Sequence, residues 1–381
     1  MPNTLPKQDS IYLPGLNGLR AIAAMVVMVF HTDQWSEYFG LTPYGFWNTR
    51  MQAYAVVLFF VLSGFLITYL LLKEKEKKGS INFRKFYIRR ILRIWPVYYL
   101  VLITGVIILA TMGDKIHLPA GFDLKTTAGL YAILVPNIAF FLGYSPDLIG
   151  ILWSVGVEEQ FYAFWPFLVN RSAVLIRTLI ILLFIFCGIK IAAAMGMLSF
   201  TGIDVLALMS YIPFHLMAIG AIAADTYYHK RKILALIYHP ILQVIAWLFL
   251  LVSIFWAPVQ VPFIKGFQQE IHAFVYAVII LNVSTNPGTL VDLENKVCNF
   301  LGKISYGIYA YHFIILFLVS LALKPVLPSL PSAIGHGLMF VTEALVTILV
   351  AHLSYTYYES WFLRQKSKYL VIKSSSTNPA G

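Results

Sequence analysis

An arginine and a histidine occupy the first long apolar stretch of the chain, Leu13–Gln34 (LPGLNGLRAIAAMVVMVFHTDQ). Arg20 and His31 are eleven residues apart, about three helical turns, so both project from one face of a helix, roughly 16 Å apart along its axis. A charge near the centre of a bilayer costs about 2.5–3.5 kcal/mol even on a lenient scale. The pair therefore predicts a functional site. The alternative is an Arg20 that reaches back to the membrane surface and a His31 that marks the other edge.

A pair of arginines follows the second apolar stretch. Arg90 and Arg93 are three residues apart before Pro96, on a predicted helix that enters the third span. Their guanidinium groups share a helix face and could together bind phosphates. The alternative, of equal weight, is an anchor beside anionic lipid, because Lys73–Arg93 is rich in Lys and Arg.

An acidic pair opens a short apolar run in Leu152–Pro166 (LWSVGVEEQFYAFWP). Ser154, Glu158 and Tyr162 are spaced four residues apart and share one helix face. Acidic residues at a helix start are favoured by the helix dipole, which is the plain structural explanation for Glu158 and Glu159. A carboxylate on this face could also hold an imidazole in one tautomer or act as a base.

The last third of the chain contains a polar stripe and a further acid. Ser305, Tyr309 and His312 lie on one face of an otherwise apolar helix, where they could also simply join helices by hydrogen bonds. Glu343 lies among apolar residues and is a second candidate acid. Four single histidines without a paired motif are interpreted as packing or interface residues: His215, His239, His272 and His352.

The composition indicates an all-α polytopic membrane protein. Hydrophobic residues make up 59% of the 381 residues and charged residues only 12%, which is far from the composition of a soluble globular chain. The net charge of +11 reflects basic residues that alternate with apolar runs, so we expect cytoplasmic anchoring and contact with membrane lipid rather than nucleic-acid binding. Cys187 and Cys298 show no metal-ligand spacing, and no metal is predicted.

Apolar runs of membrane-spanning length predict about ten transmembrane helices, a domain over residues 1–360 and a cytoplasmic tail over residues 361–381. The predicted spans are Leu16–Gln34, Ala53–Leu72, Ile94–Met112, Val157–Val169, Val174–Phe200, Val205–Ala224, Ile233–Trp256, Ile271–Val283, Ile304–Leu323 and Gly337–Tyr358. Leu130–Leu142, broken by Pro136 and Asn137, is interpreted as a re-entrant or interfacial segment. Lys7 precedes the first apolar run without a cleavage site, so this run is expected to be a retained span.

The distribution of basic residues predicts that both termini are cytoplasmic. Alternation across ten spans places most of the 28 Lys and Arg residues on the inner side. The outer side receives Arg50, Lys115, Lys125, Lys265 and Lys324.

Five segments resemble, in order and spacing, the membrane O-acyltransferases of acyltransferase family 3. These segments are LPGLNGLRAIAAMVVMVFH, LFFVLSGFLIT, FYIRRILRIWP, LWSVGVEEQFYAFWP and LGKISYGIYAYHF. The family's basic residue, ten positions and histidine match Arg20 and His31, and its Arg-x-x-Arg matches Arg90 and Arg93. Its Trp-Ser-x-x-x-Glu-Glu-Gln-Phe-Tyr segment begins at Trp153, with Gly156 where serine or an alanine-like residue is more usual.

The resemblance implies transfer of an acyl group, acetyl by default, from cytoplasmic acyl-CoA to a hydroxyl of an envelope or exported saccharide or glycolipid. It implies a multi-pass protein of the bacterial cytoplasmic membrane, with acyl-CoA as a substrate and no tightly bound cofactor. His31 is expected to act as general base or transient acyl carrier, oriented by Glu158 or, second, Glu343. The expected substrate-binding residues are Arg20, Arg90, Arg93, Trp153, Ser154, Tyr162, Ser305 and Tyr309.

Two further expectations concern partners and the alternative function. Some family members carry a hydrolase-like domain that completes the transfer, so we expect this chain to act alone or with a separate hydrolase-like partner. The alternative is a proton-coupled transporter of a glycan or lipid intermediate, with Arg20, His31 and Glu343 as a proton relay. Internal repeats, frequent in transporters, are not evident in the sequence.

Overall fold

A computed structural model describes residues 11–45, 51–255, 266–372 and 374–375. Several sequence-based predictions concern residues outside these ranges: Lys7, Arg50 and Lys265 of the charge distribution, Trp256 at the end of a predicted span, and the tail residues 376–381.

The described part of the chain is almost entirely helical. In chain order its α-helices are α1 (Leu16–Gln34), α2 (Met51–Lys78), α3 (Phe83–Met112), α4 (Leu124–Ala132), α5 (Pro136–Phe141), α6 (Asp147–Gly150), α7 (Leu152–Arg171), α8 (Leu175–Ala194), α9 (Val205–Ser210), α10 (Phe214–Tyr228), α11 (Ile233–Ile237), α12 (Pro240–Phe255), α13 (Gln268–Thr285), α14 (Lys296–Leu323), α15 (Ser332–Leu353) and α16 (Ser360–Ser367). A π-helical turn, Ser354–Glu359, joins α15 to α16. Two short strands, β1 (Ile11–Tyr12) and β2 (Ser374–Ser375), pair in parallel.

Five helices of the described residues are long and apolar enough to cross a membrane: α2, α3, α8, α14 and the continuous run from α15 through α16. The all-α membrane class is thereby confirmed. The other predicted spans correspond to helices that are shorter or more polar, among them α1, whose bounds coincide with the first predicted span. The number of ten spans and the cytoplasmic position of both termini stay predictions.

Prolines account for two differences from the predicted spans. Val205–Ala224 is divided into α9 and α10, with Pro213 directly before α10. Ile233–Trp256 is divided into α11 and α12, and α12 begins at Pro240. Proline lacks the N–H that a helix interior needs, so it starts a helix more readily than it continues one. Pro96 and Pro166 are exceptions, because α3 and α7 run through them. Since α3 begins at Phe83, it already contains Arg90 and Arg93.

The predicted break in Leu130–Leu142 is confirmed. The chain leaves α4, passes through Leu134 with a φ of 63°, and starts α5 at Pro136. Gly156 of α7 faces this break, since a Cβ there would lie 2.4 Å from Pro136 Cδ. The family departure at Gly156 therefore concerns helix packing. Whether the segment enters the membrane stays a prediction.

Close helix contacts bring α1, α2, α10 and α14 together at the centre of the molecule. A Cβ at Gly220 of α10 would lie 2.1 Å from the Val61 carbonyl oxygen of α2, and one at Gly302 of α14 would lie 2.2 Å from the Asn17 carbonyl oxygen of α1. Small residues allow such approach, which strengthens dispersion contacts between helices in a membrane. The contact between α1 and α14 sets both Arg20 and His31 against α14.

Candidate active site

A cavity of about 560 Å³ lies between α1, α2, α3, α7, α14 and residues 363–370. This volume is within the range of pockets that hold small organic ligands. Its wall includes most of the residues predicted to bind substrate, together with one predicted acid: Arg20, Arg90, Arg93, Ser154, Glu158, Tyr162, Ser305 and Tyr309. Residues of four separate sequence motifs thus lie around one space.

Cations dominate one end of this cavity. Arg20, Arg90 and Arg93 are joined there by Lys303 and Lys366. Of these, only Arg93 forms a salt bridge with a described carboxylate, Glu359, at 3.7 Å. The Arg90 guanidinium lies 5.3 Å from the centre of the Tyr162 ring, and its buried Nε has no hydrogen-bond partner among the described residues. Unpaired guanidinium groups in a partly buried cavity favour a ligand with several negative charges.

The two adjacent acids of α7 have different partners. Glu158 lines the cavity and accepts a hydrogen bond of 2.9 Å from the Tyr162 hydroxyl, which also bonds to Ser63 Oγ. Glu159 accepts a 2.8 Å hydrogen bond from Trp95 Nε1 and so joins α7 to α3. Only Glu158 is placed to act on a ligand in the cavity.

His31 is paired with a second histidine. Its Nδ1 lies 3.0 Å from His312 Nε2, and the two rings stack with their centres 5.2 Å apart. His312 Nδ1 lies 2.8 Å from the Tyr309 carbonyl oxygen. A carbonyl only accepts, so His312 Nδ1 carries the proton and neutral His312 accepts from His31 Nδ1–H through Nε2. His31 Nε2 is left with its lone pair, as a base or nucleophile requires.

This pairing corrects the expectation that a carboxylate orients His31. Glu158 is bonded to Tyr162 in the cavity, and Glu343 accepts a 2.9 Å hydrogen bond from Thr347, one turn along α15. Among the described residues the second oxygen of Glu343 has no partner. The catalytic roles of Glu158 and Glu343 stay predictions. The alternative function predicted a proton relay through Arg20, His31 and Glu343. Among the described residues, no hydrogen bond links these three side chains to one another.

Tyr309 lines the cavity and also contacts the histidine pair. Phe59 also lines the cavity, with its ring centre 5.4 Å from that of Tyr309, and the Tyr309 hydroxyl bonds to Ser154 Oγ at 2.6 Å. His31 itself is buried and is not among the residues that line the cavity. One residue therefore contacts both the cavity and the histidine pair.

Several other residues differ from their predicted place or were missed. Trp153 does not line the cavity; its ring packs against Phe60, Phe140 and Tyr211. Lys366 lies in the predicted tail, where the sequence offers no signal for a site. His312 was visible in the polar stripe, but its partner was not.

His215 belongs to a buried cluster apart from the cavity. Its Nε2 lies 2.9 Å from Glu270 Oε1, which also accepts a hydrogen bond of 2.6 Å from Lys190. These contacts join α8, α10 and α13 and are consistent with a packing role.

Comparison with known proteins identifies similar chains. The family described as "Acyltransferase domain" matches residues 13–357. A Staphylococcus aureus protein named "Putative O-acetyltransferase" is 28% identical over 96% of this chain and 59% of its own length. The "Peptidoglycan O-acetyltransferase OatA" of Listeria monocytogenes is 28% identical over 92% of this chain and 55% of its own length. This chain thus spans little more than half the length of these relatives. No solved structure matches it.

Proposed function

Because the chain belongs to the acyltransferase domain family, we propose that it transfers an acyl group, acetyl by default, from acyl-CoA to a saccharide hydroxyl in the bacterial cell envelope. The relatives named as O-acetyltransferases, one of them for peptidoglycan, support this reaction and this class of acceptor. The observation that carries the proposal is one cavity whose wall contains Arg20 and Arg90, unpaired among the described residues, and also Tyr309, the residue that holds His312 and through it His31.

The cavity suits an elongated donor with an anionic end. Arg20 and Arg90 would bind phosphate oxygens, since guanidinium groups match phosphate geometry. The apolar walls toward Phe59 would hold the thioester arm. Arg20 and His31 lie at opposite ends of α1, so the arm would extend along this helix toward the imidazole.

For direct transfer, His31 Nε2 takes the proton of the acceptor hydroxyl as its oxygen attacks the thioester carbonyl. The C–S bond breaks, and the leaving thiolate takes the proton from the imidazolium. For transfer through an acyl carrier, His31 Nε2 attacks the carbonyl first, the C–S bond breaks, and the thiolate leaves an acyl-imidazolium that keeps its Nδ1 proton. The hydroxyl oxygen then attacks the acyl carbon, the C–N bond breaks, and the thiolate takes the hydroxyl proton, which restores neutral His31. In both cases the contact between Phe59 and Tyr309 must open to admit the thioester.

The test uses membranes that contain the full chain, labelled acetyl-CoA and a peptidoglycan-type saccharide. We expect wild type to label the saccharide and His31→Ala to lose this label. The exposed His352 of α15 provides the matched control, and His352→Ala should label normally. Label that appears on the wild-type protein and is released by hydroxylamine indicates the acyl-carrier route.

An active His31→Ala protein would overturn the proposed mechanism. Movement of saccharide across the membrane without acyl exchange would overturn the proposed reaction and favour a transporter.

A further inference from the structure

Residues 360–372 form one side of the cavity. Leu363, Lys366, Ser367 and Leu370 all line it, although the sequence predicted this part of the chain as a solvated tail. The segment packs against α3, where Arg89 Nη1 donates a 2.9 Å hydrogen bond to the Tyr369 carbonyl oxygen. It is therefore part of the folded domain.

Lys366 lies at the cationic end of the cavity. The wall residues near it include Leu70, close to the end of α2, and Lys303, close to the start of α14. On the same two helices, Phe59 lies nearer the start of α2 than Leu70, and Tyr309 lies nearer the end of α14 than Lys303. Both therefore lie toward the other end of the cavity. Lys366 is thus separated from the histidine pair by the length of the cavity.

Lys366 experiences repulsion from neighbouring cations. Arg20, Arg90 and Arg93 line the same cavity as Lys366, and Arg89 and Arg90 line a second, smaller space with it, so these guanidinium groups act on its ammonium group as like charges. Arg89 and Arg93 have their own carboxylates, Glu74 at 3.0 Å and Glu359 at 3.7 Å.

Arg20, Arg90 and Lys366 come from three different helices, α1, α3 and α16, and line the same cavity. None of them forms a salt bridge within the described ranges. Uncompensated like charges around a partly buried space cost free energy unless a ligand supplies the counter-charge. Among the residues that the structure describes, five cations and one carboxylate, Glu158, line the cavity, so this excess of positive charge indicates a multiply charged anion.

We propose that Lys366 binds a phosphate of the acyl donor and that this contact holds the 360–372 segment over the bound donor. The inference rests on the proposed function, because it takes the anion to be the phosphate-bearing end of acyl-CoA. A lysine ammonium serves as a compact point charge for phosphate oxygens from several directions. A ligand that bridges Lys366 to Arg20 and Arg90 joins the segment to α1 and α3, so binding should reduce local opening of residues 360–372.

The experiment measures coenzyme A binding to the purified full chain by calorimetry and hydrogen exchange in residues 360–372. We expect Lys366→Ala to weaken binding about tenfold, the effect of losing one charge-assisted contact. Lys366→Arg should restore most of the affinity. Coenzyme A should slow exchange in the segment in wild type but not in Lys366→Ala.

Lys368→Ala is the matched control, since Lys368 is exposed, two residues away, and does not line the cavity. Its affinity and its protection by coenzyme A should equal those of wild type. Thermal unfolding without ligand identifies any variant whose loss comes from misfolding, and Lys366→Arg still tests the contact if Lys366→Ala is unstable.

The possible failures are distinguishable. If wild type binds coenzyme A, and Lys366→Ala binds as tightly and is protected to the same extent, the role of Lys366 is overturned and the proposed function stands. If wild type does not bind coenzyme A, the proposed donor is wrong.

Discussion

The position of the His31 ring proton is determined by one other residue, His312. His312 Nε2 accepts a hydrogen bond from His31 Nδ1–H, because the proton of His312 lies on Nδ1 and is donated to the Tyr309 carbonyl oxygen. Without His312, the proton of His31 is free to move to Nε2, and the imidazole then presents a donor where the proposed reaction needs a lone pair. His312 is in this sense a positioning residue, because it acts on the substrate only through His31.

We expect His312→Ala to lower the rate of acyl transfer by about 100-fold, the lower end of what a positioned base contributes. Donor binding should be unchanged, because His312 does not line the cavity. Steady-state kinetics in membranes would show the loss in kcat and not in the KM for acetyl-CoA. His312→Gln keeps an acceptor oxygen and should recover part of the rate. Full activity of His312→Ala would show that the pair is only structural.

At the scale of elements, the close approach of α2 and α10 depends on two glycines. A Cβ at Gly64 would lie 1.9 Å from the Met217 carbonyl oxygen, and one at Gly220 would lie 2.1 Å from the Val61 carbonyl oxygen. Both contacts are with backbone, which cannot rotate away as a flexible side chain can. Since α2 supplies Phe59 and Ser63 to the cavity wall, a shift of this helix pair would also change the cavity.

Gly220→Ala should destabilise the protein by about 1–3 kcal/mol, as overpacking of a close contact does. Gly188→Ala in α8 is the matched control, because among the described residues outside this helix turn no atom lies within 4 Å of a Cβ there. The control should be neutral or slightly stabilising, since alanine favours a helix over glycine. Thermal unfolding in detergent measures both. Equal midpoints for the two variants would contradict the importance of the contact between α2 and α10.

At the scale of the whole molecule, Glu294 connects the start of α1 to the chain before α14. It accepts hydrogen bonds from the Gly15 backbone N–H at 2.7 Å, from Asn299 Nδ2 at 2.7 Å and from the Tyr12 hydroxyl. Partial burial raises the pKa of its carboxyl, but these hydrogen bonds outweigh burial and hold the pKa below its ordinary value of 4.5. This connection helps to hold Tyr12 in the cavity wall.

Glu294→Gln should lower the free energy of unfolding at pH 7 by about 1 kcal/mol. This value is lower than is usual for hydrogen bonds to a charged group, because solvent partly screens the site. A depressed folded-state pKa adds stability above the ordinary pKa, and this stability is lost as the pH falls through the folded value. The difference between wild type and variant should therefore be full at pH 7 and should shrink below about pH 4.5. Unfolding midpoints across this range measure it. A difference independent of pH would show that the charge of Glu294 is not responsible.

The sequence by itself determined the local features. The bounds of α1, the common face of Ser154, Glu158 and Tyr162, and the break before Pro136 follow from helical periodicity and from the missing N–H of proline. These are properties of neighbouring residues, so they are readable without knowledge of the fold. The class of the protein follows equally from composition.

The tertiary structure decided which residues meet. The partner of His31 is 281 positions away, and Lys366 reaches the arginines from a segment that the sequence describes as a polar tail. A helical pattern specifies which residues share a face, but the partner that this face meets depends on how all the helices pack. For this reason a carboxylate was expected beside His31, and only the packing of α1 against α14 could show an imidazole.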